Sequence, residues 1–253
     1  MLDRGANVNE AISGGWTPLM FAARRGADVE VIRAMLAAGA DVNAADSQGR
    51  TAFIWAASEE SNLEAVKALL EAGADVNAND GEALSMAAWE HSSPEMIELL
   101  LAAGADVHAG EDDDGRTPLA YAAMTASDPQ VIRMLLDAGS DVHVRYEEGY
   151  TVLILAAGDN RNPEIVRMLA NAGVDINAVK QPEGWTALMI AAQACKSRGI
   201  IDALLDAGAD ATLKCTDGKT AFDYVKGRKW LKGTDAYWRL RDAKYKSYSD
   251  STD

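Results

Sequence analysis

The sequence predicts an all-α fold of stacked helix-turn-helix units, with β-hairpin fingers between them and a capping helix at the C-terminus. Three observations carry this. A nine-residue block recurs at near-constant spacing, an apolar block recurs between its copies, and the C-terminal segment breaks the pattern while reversing the sign of its charge.

The first block reads GWTPLMFAA (15–23), GRTAFIWAA (49–57), GRTPLAYAA (115–123), GYTVLILAA (149–157) and GWTALMIAA (184–192). GEALSMAA (81–88) is a shortened copy, and GKTAFDYVK (218–226) a diverging one. Between them stand VIRAMLAAGADVN (31–43), AVKALLEAGADVN (65–77), MIELLLAAGADVH (96–108), VIRMLLDAGSDVH (131–143), IVRMLANAGVDIN (165–177) and IIDALLDAGADAT (200–212). Successive glycines from Gly15 lie 34, 32, 34, 34, 35 and 34 residues apart, so one structural unit is written repeatedly.

Each first block begins a short helix. Thr17, Thr51, Thr117, Thr151 and Thr186 stand at the N-cap, with Pro18 or Pro118 in the first turn. The alanine pairs, Ala22-Ala23 for example, let neighbouring helices approach closely. Ser93-Pro94, Asp128-Pro129 and Asn162-Pro163 start second helices. Their apolar residues keep helical spacing (Val31, Ile32, Met35, Leu36), and they stop at glycines such as Gly39 and Gly208, which can turn left-handed. The A-D-V-N stretch then leaves as a hairpin finger. A lone helix pair cannot bury its apolar face, so the copies must stack. At roughly 8–10 Å per packed helix pair, six of them predict a body on the order of 50–60 Å long.

The T-P-L and G-A-D-V-N signatures and the period resemble the ankyrin repeat over about residues 1–226, and an extra residue between the helices of most copies resembles the family's bacterial variety. The resemblance implies a solenoid with residues 1–11 as a partial repeat, 12–214 as six full repeats, 215–246 as a divergent cap and 247–253 as a frayed tail. Met1–Asn9 aligns with Met35–Asn43, so the chain is expected to be N-terminally truncated within a repeat. Trp230, Leu231, Tyr237, Trp238 and Leu240 are expected to cover the last repeat while the lysines and arginines face water.

Charge and composition narrow the function. The 253 residues carry a net charge of −15, but unevenly: residues 1–225 hold 16 basic and 35 acidic side chains, and residues 226–246 hold eight basic and two acidic. An acidic body disfavours nucleic acid, which needs a surplus of lysine and arginine. No apolar run reaches the roughly 20 residues of a membrane span. Two cysteines, Cys195 and Cys215, exclude a disulfide framework or a four-thiolate zinc site, and the repeat geometry keeps them apart as free thiols. A cytoplasmic location is expected.

Catalytic chemistry finds no constellation. His108 and His143 fill the slot held elsewhere by Asn43, Asn77 and Asn177, and are read as polar finger residues; His91 lies in an inter-helix loop. Glu111–Asp114 lacks the spacing and the terminal glutamate of a calcium loop. The chain is expected to be non-enzymatic, with no metal and no cofactor. The third copy, Asn77-Ala78-Asn79-Asp80-Gly81-Glu82, has lost its threonine and most of its finger, predicting a short finger and a weaker helix start.

The resemblance implies a protein-binding module that uses finger residues and first-helix ends on a concave face. The residues in those slots are Trp16, Arg50, Trp89, Glu90, Arg116, Met124, Tyr150 and Trp185, types enriched in interface hot spots. Packing between adjacent fingers is the competing account of the tryptophans. Phe21, Trp55, Tyr121 and Leu155 occupy a neighbouring slot expected to be core. Acidic residues surround the candidate site (Glu59, Glu90, Asp113, Asp114, Glu147, Glu148, Asp159), so the expected partner is a protein or peptide with basic residues between apolar anchors. The chain is expected to be monomeric, with weak association possible through its N-terminal repeat face. The competing readings are a structural or self-associating scaffold, or the repeat region of a larger multidomain protein.

Overall fold

The computed structural model describes residues 7–59, 62–90, 93–109, 115–194 and 197–249. The expectations for residues 1–6, His91, Glu111–Asp114, Cys195 and 250–253 lie outside the described residues. The chain divides into two compact units, Met1–Ala122 with Asp137–Gly139, and Ala123–Leu136 with Ser140–Asp253. The division runs through helix α7 (Pro118–Thr125) and the end of α8 (Pro129–Asp137).

In the first unit the helix pairs are α1 (Pro18–Arg24) and α2 (Val29–Ala37), α3 (Ala52–Ala57) and α4 (Leu63–Glu71), and α5 (Ala78–Glu90) and α6 (Pro94–Ala102). Helices α1, α3 and α5 stack in one row, and α2 packs on α4 in a second. The threonines cap as their spacing predicts: Thr17 Oγ1 accepts from the Met20 amide at 3.3 Å, and Thr51 Oγ1 from Ile54 at 3.4 Å. Alanines 22, 23, 56, 57, 87 and 88 lie buried where the rows meet. Leu19, Met20, Phe53, Ile54, Leu69, Leu84, Ile97 and Leu100 fill the space between rows. At about 25 cal/mol per Å² of apolar surface, this burial is the main stabilising term.

The second helices end in a left-handed glycine. Gly39, at φ 85°, lets the Ala40 amide reach back to the Met35 carbonyl at 3.0 Å, satisfying an otherwise orphaned acceptor. The finger asparagines then tie each turn to the next. Asn9 Nδ2 donates to the Gly39 carbonyl (2.9 Å) while its Oδ1 accepts from the Asp41 amide (2.8 Å). Asn43 does the same to Gly73 (3.1 Å) and Asp75 (2.9 Å), and Asn77 to Gly104 (3.0 Å) and Asp106 (2.9 Å). The shortened third finger is replaced by a tight left-handed turn, in which Asn79, Asp80 and Gly81 all have positive φ (51°, 54° and 74°) before the helix proper begins. Asn79 Nδ2 steadies it through Glu82 Oε2 at 2.6 Å.

The second unit repeats the plan with α9 (Val152–Asp159), α10 (Pro163–Asn171), α11 (Ala187–Ala194) and α12 (Arg198–Asp206), followed by α13 (Ala221–Val225) and α14 (Asp235–Ser249). Rows form from α9, α11 and α13, and from α10 and α12, with α14 against α12 and α13. Its sixth finger is a paired hairpin, β1 (Val179–Lys180) antiparallel to β2 (Trp185–Thr186). The other described fingers close with one or two backbone bonds, such as Tyr146 N to the Tyr150 carbonyl at 2.9 Å.

The cap departs from expectation. Leu231, Ala236 and Leu240 are fully buried, but Trp230 and Trp238, expected among the covering residues, remain 45% and 42% exposed. Helix α14 also continues to Ser249, past the expected boundary at 246. Its anchor is Asp223, which accepts from the Thr220 amide (3.0 Å) and hydroxyl (3.1 Å), from Lys226 (3.4 Å) and from Lys244.

Candidate functional site

The proposed binding residues fall into local groups. In the first unit Trp16 is half-buried, its ring centroid 4.9 Å from Phe21 and 4.8 Å from Trp55. The Arg24 guanidinium lies over both indoles, at 5.4 and 4.7 Å, and that of Arg50 over Trp55 at 5.2 Å. Arg50 is held from below by Glu82, Nε to Oε1 at 2.7 Å. Cations over tryptophan faces are held by the ring quadrupole. Trp55 is buried as expected, and its Nε1–H has no hydrogen-bond partner among the described residues. Phe21, expected in the core, is 37% exposed and leans on Trp16 instead. Sequence spacing did not indicate this cluster, because the contacts that close it, Trp16 and Arg24 on Trp55, join residues one repeat apart.

Trp89 is 39% exposed, its ring centroid 5.3 Å from that of half-buried Tyr121 in an edge-to-face arrangement; Glu90 beside it is exposed. Arg116 is half-buried. Of the acidic residues expected around the site, Asp113 and Asp114 lie outside the described residues.

In the second unit Tyr150 and Trp185 line one cleft of about 440 Å³. Ile154, Leu155 and Ile190 supply its apolar lining, and Asp159, Lys180 and Glu183 its charged groups. The hairpin of the sixth finger positions these groups, since Lys180 and Trp185 pair across it. Lys180 Nζ stands 2.7 Å from Glu183 and 3.2 Å from Glu148, and 5.1 Å from the Tyr150 ring centre. The Glu183 bond holds the Lys180 ammonium well above the usual lysine range, against burial, which acts the other way. The same bond lowers the Glu183 carboxyl. Lys180 is thus committed internally, and with Asp159 the surroundings stay net acidic. Trp185 also packs on Tyr224, centroids 5.1 Å apart. Met124 lines a separate hollow of about 510 Å³ with Thr125, Asn160 and Arg161. Asn160 there is buried, its Nδ2 bonded to the carbonyls of Ala123 and Ala126, both at 3.0 Å.

Cys215 is a buried free thiol, its Sγ 3.6 Å from the Tyr224 hydroxyl. Among the described residues no three His, Cys, Asp or Glu side chains gather as a metal site, and no helix is long and apolar enough to cross a membrane.

No curated protein matches the chain. Among solved structures it is similar to the human ASB11 ankyrin repeat domain, with a TM-score of 0.72 and 23% identity over 90% of this chain and 98% of that one. The family described as "Ankyrin repeats (3 copies)" matches three times, over residues 1–80, 78–146 and 126–215. The helix rows, the asparagine ties and these matches together place the chain in the ankyrin-repeat family.

Proposed function

We propose that the chain is a non-enzymatic module that holds a protein or peptide on its finger surface, with the partner supplying basic residues between apolar anchors. Ankyrin repeats are in general protein–protein interaction modules. The observation that carries the finer reading is the cleft beside Tyr150 and Trp185. Its aromatic and apolar lining suits one inserted side chain, and Asp159, Glu148 and Glu183 outnumber the single ammonium of Lys180. Apolar anchors supply affinity in such sites, while complementary charge speeds encounter and sets register.

The test uses a fluorescein-labelled peptide alternating lysine with leucine. Trp89→Ala and Trp185→Ala should each weaken its binding roughly thirtyfold, about 2 kcal/mol, if each is a hot spot. Each should lower the melting temperature only modestly, through loss of the Tyr121 and Tyr224 contacts respectively. If both variants melt far lower, or bind the peptide as tightly as the parent chain, the assignment fails.

A further inference from the structure

Helix α14 has two faces, and capping uses one of them. Ala236 and Leu240 are fully buried, joined by Leu231 from the preceding turn. Tyr237 sets its ring 5.3 Å from Phe222, Lys244 reaches Asp223, and Arg239 pairs with Asp206 at 2.6 Å. Those contacts fasten the helix to the repeat beneath it.

The other face is Trp238, Arg241 and Tyr245, spaced i, i+3 and i+7 and so aligned along one side. Trp238 and Tyr245 are 42% and 58% exposed. The Arg241 guanidinium lies 4.2 Å from the Trp238 ring centre and is itself paired with Asp242 at 2.7 Å, so the free cations of this face are those of the preceding turn. Tyr245 touches Phe222 distantly, at 6.3 Å between centroids. In the preceding turn Trp230 is 45% exposed between Arg228, Lys229 and Lys232, whose side chains make no ion pair among the described residues. Burying an outward tryptophan is not required to close a repeat stack, because a cap needs a polar outer face. Exposed aromatics beside the unpaired cations of this turn mark an interaction surface instead.

We propose that this face of α14, with the turn before it, docks an acidic polypeptide segment bearing apolar side chains, a partner chemically opposite to the one suited to the finger cleft. Charge complementarity selects that occupant. An anionic bilayer or a nucleic acid presents charge over a wide area, and the surplus of 19 acidic side chains in residues 1–225 would repel it. A short acidic segment meets the local cationic patch, since charges beyond about 8 Å are largely screened at physiological ionic strength. Its carboxylates would pair with Arg228, Lys229 and Lys232, and its apolar side chains would lie on Trp230, Trp238 and Tyr245.

The experiment measures anisotropy of a fluorescein-labelled polyglutamate peptide carrying leucine at every fourth position. Trp238→Ala keeps every charge and should weaken binding about tenfold, with an unchanged melting temperature. The double reversal Lys229→Glu and Lys232→Glu, at exposed turn positions, should abolish binding, as should high salt. Absence of binding by the parent chain overturns the proposal. So does equal binding by Trp238→Ala, which would mean charge condensation without a docking surface. Phosphatidylserine vesicles captured in place of the peptide would assign the face to lipid. Concentration-dependent sedimentation lost in Trp238→Ala would assign it to a second copy. Either result also overturns it.

Discussion

Replacing Asp223 by asparagine should loosen the cap in a pH-dependent way whose size follows from the structure. The side chain is 12% exposed. Burial alone would push its carboxyl up, but hydrogen bonds from Lys244 and from the Thr220 amide and hydroxyl, with the Lys244 charge, bring it down from 3.8 to about 2. At about 1.36 kcal/mol per pH unit, that difference contributes roughly 2 kcal/mol to folding at neutral pH. The folded value is depressed, so the contribution is complete above about pH 5, declines as pH falls through 3.8, and is gone once the folded carboxyl protonates near 2. Urea unfolding of both chains from neutral pH down to this range reads the difference directly. The gap between parent and Asp223→Asn should be roughly 2 kcal/mol at neutral pH and shrink through the acid window. A gap that stays constant down to the lowest pH, or none at neutral pH, refutes the coupling of Asp223 to α14.

Two further substitutions test the repeat itself. His143 occupies the slot that Asn43 and Asn77 use to reach the next turn, and His143→Asn would meet the Gly173 carbonyl and Asp175 amide; thermal unfolding should show about 1 kcal/mol of added stability. Gly81 lies at φ 74°, and a Cβ there would collide with that of Ala109, so Gly81→Ala should lose about 1–3 kcal/mol in urea unfolding, while Asp80→Gly in the same left-handed turn should gain about 1 kcal/mol.

Signals that act within a turn of helix were readable in the sequence. Thr17 before Pro18, Ser93 before Pro94 and Gly39 after Ala38 each announce a boundary through their own backbone chemistry, and the structure has helices starting and stopping there. What depends on a neighbour one repeat away was not readable. The stacking of Trp16 on Trp55 and the pairing of Arg50 with Glu82 need the register between repeats, which no local pattern states. Lys180 drawn between two glutamates follows from the longer sixth finger. The cap differs from expectation for a related reason. Leu231, Ala236 and Leu240 suffice to cover the last repeat, so composition alone could not tell that Trp230 and Trp238 would be left outside.

The asparagine ties have a consequence for how local opening would be observed. The amides of Asp41, Asp75, Asp106 and Asp210 sit in exposed turns, yet each donates to an asparagine of the preceding repeat, at 2.8 to 2.9 Å. Their protection from hydrogen exchange therefore depends on whether the neighbour is folded as well as on their own helices. An opening confined to one repeat would deprotect an aspartate in the next, so exchange at these four amides marks where cooperation between consecutive repeats is lost.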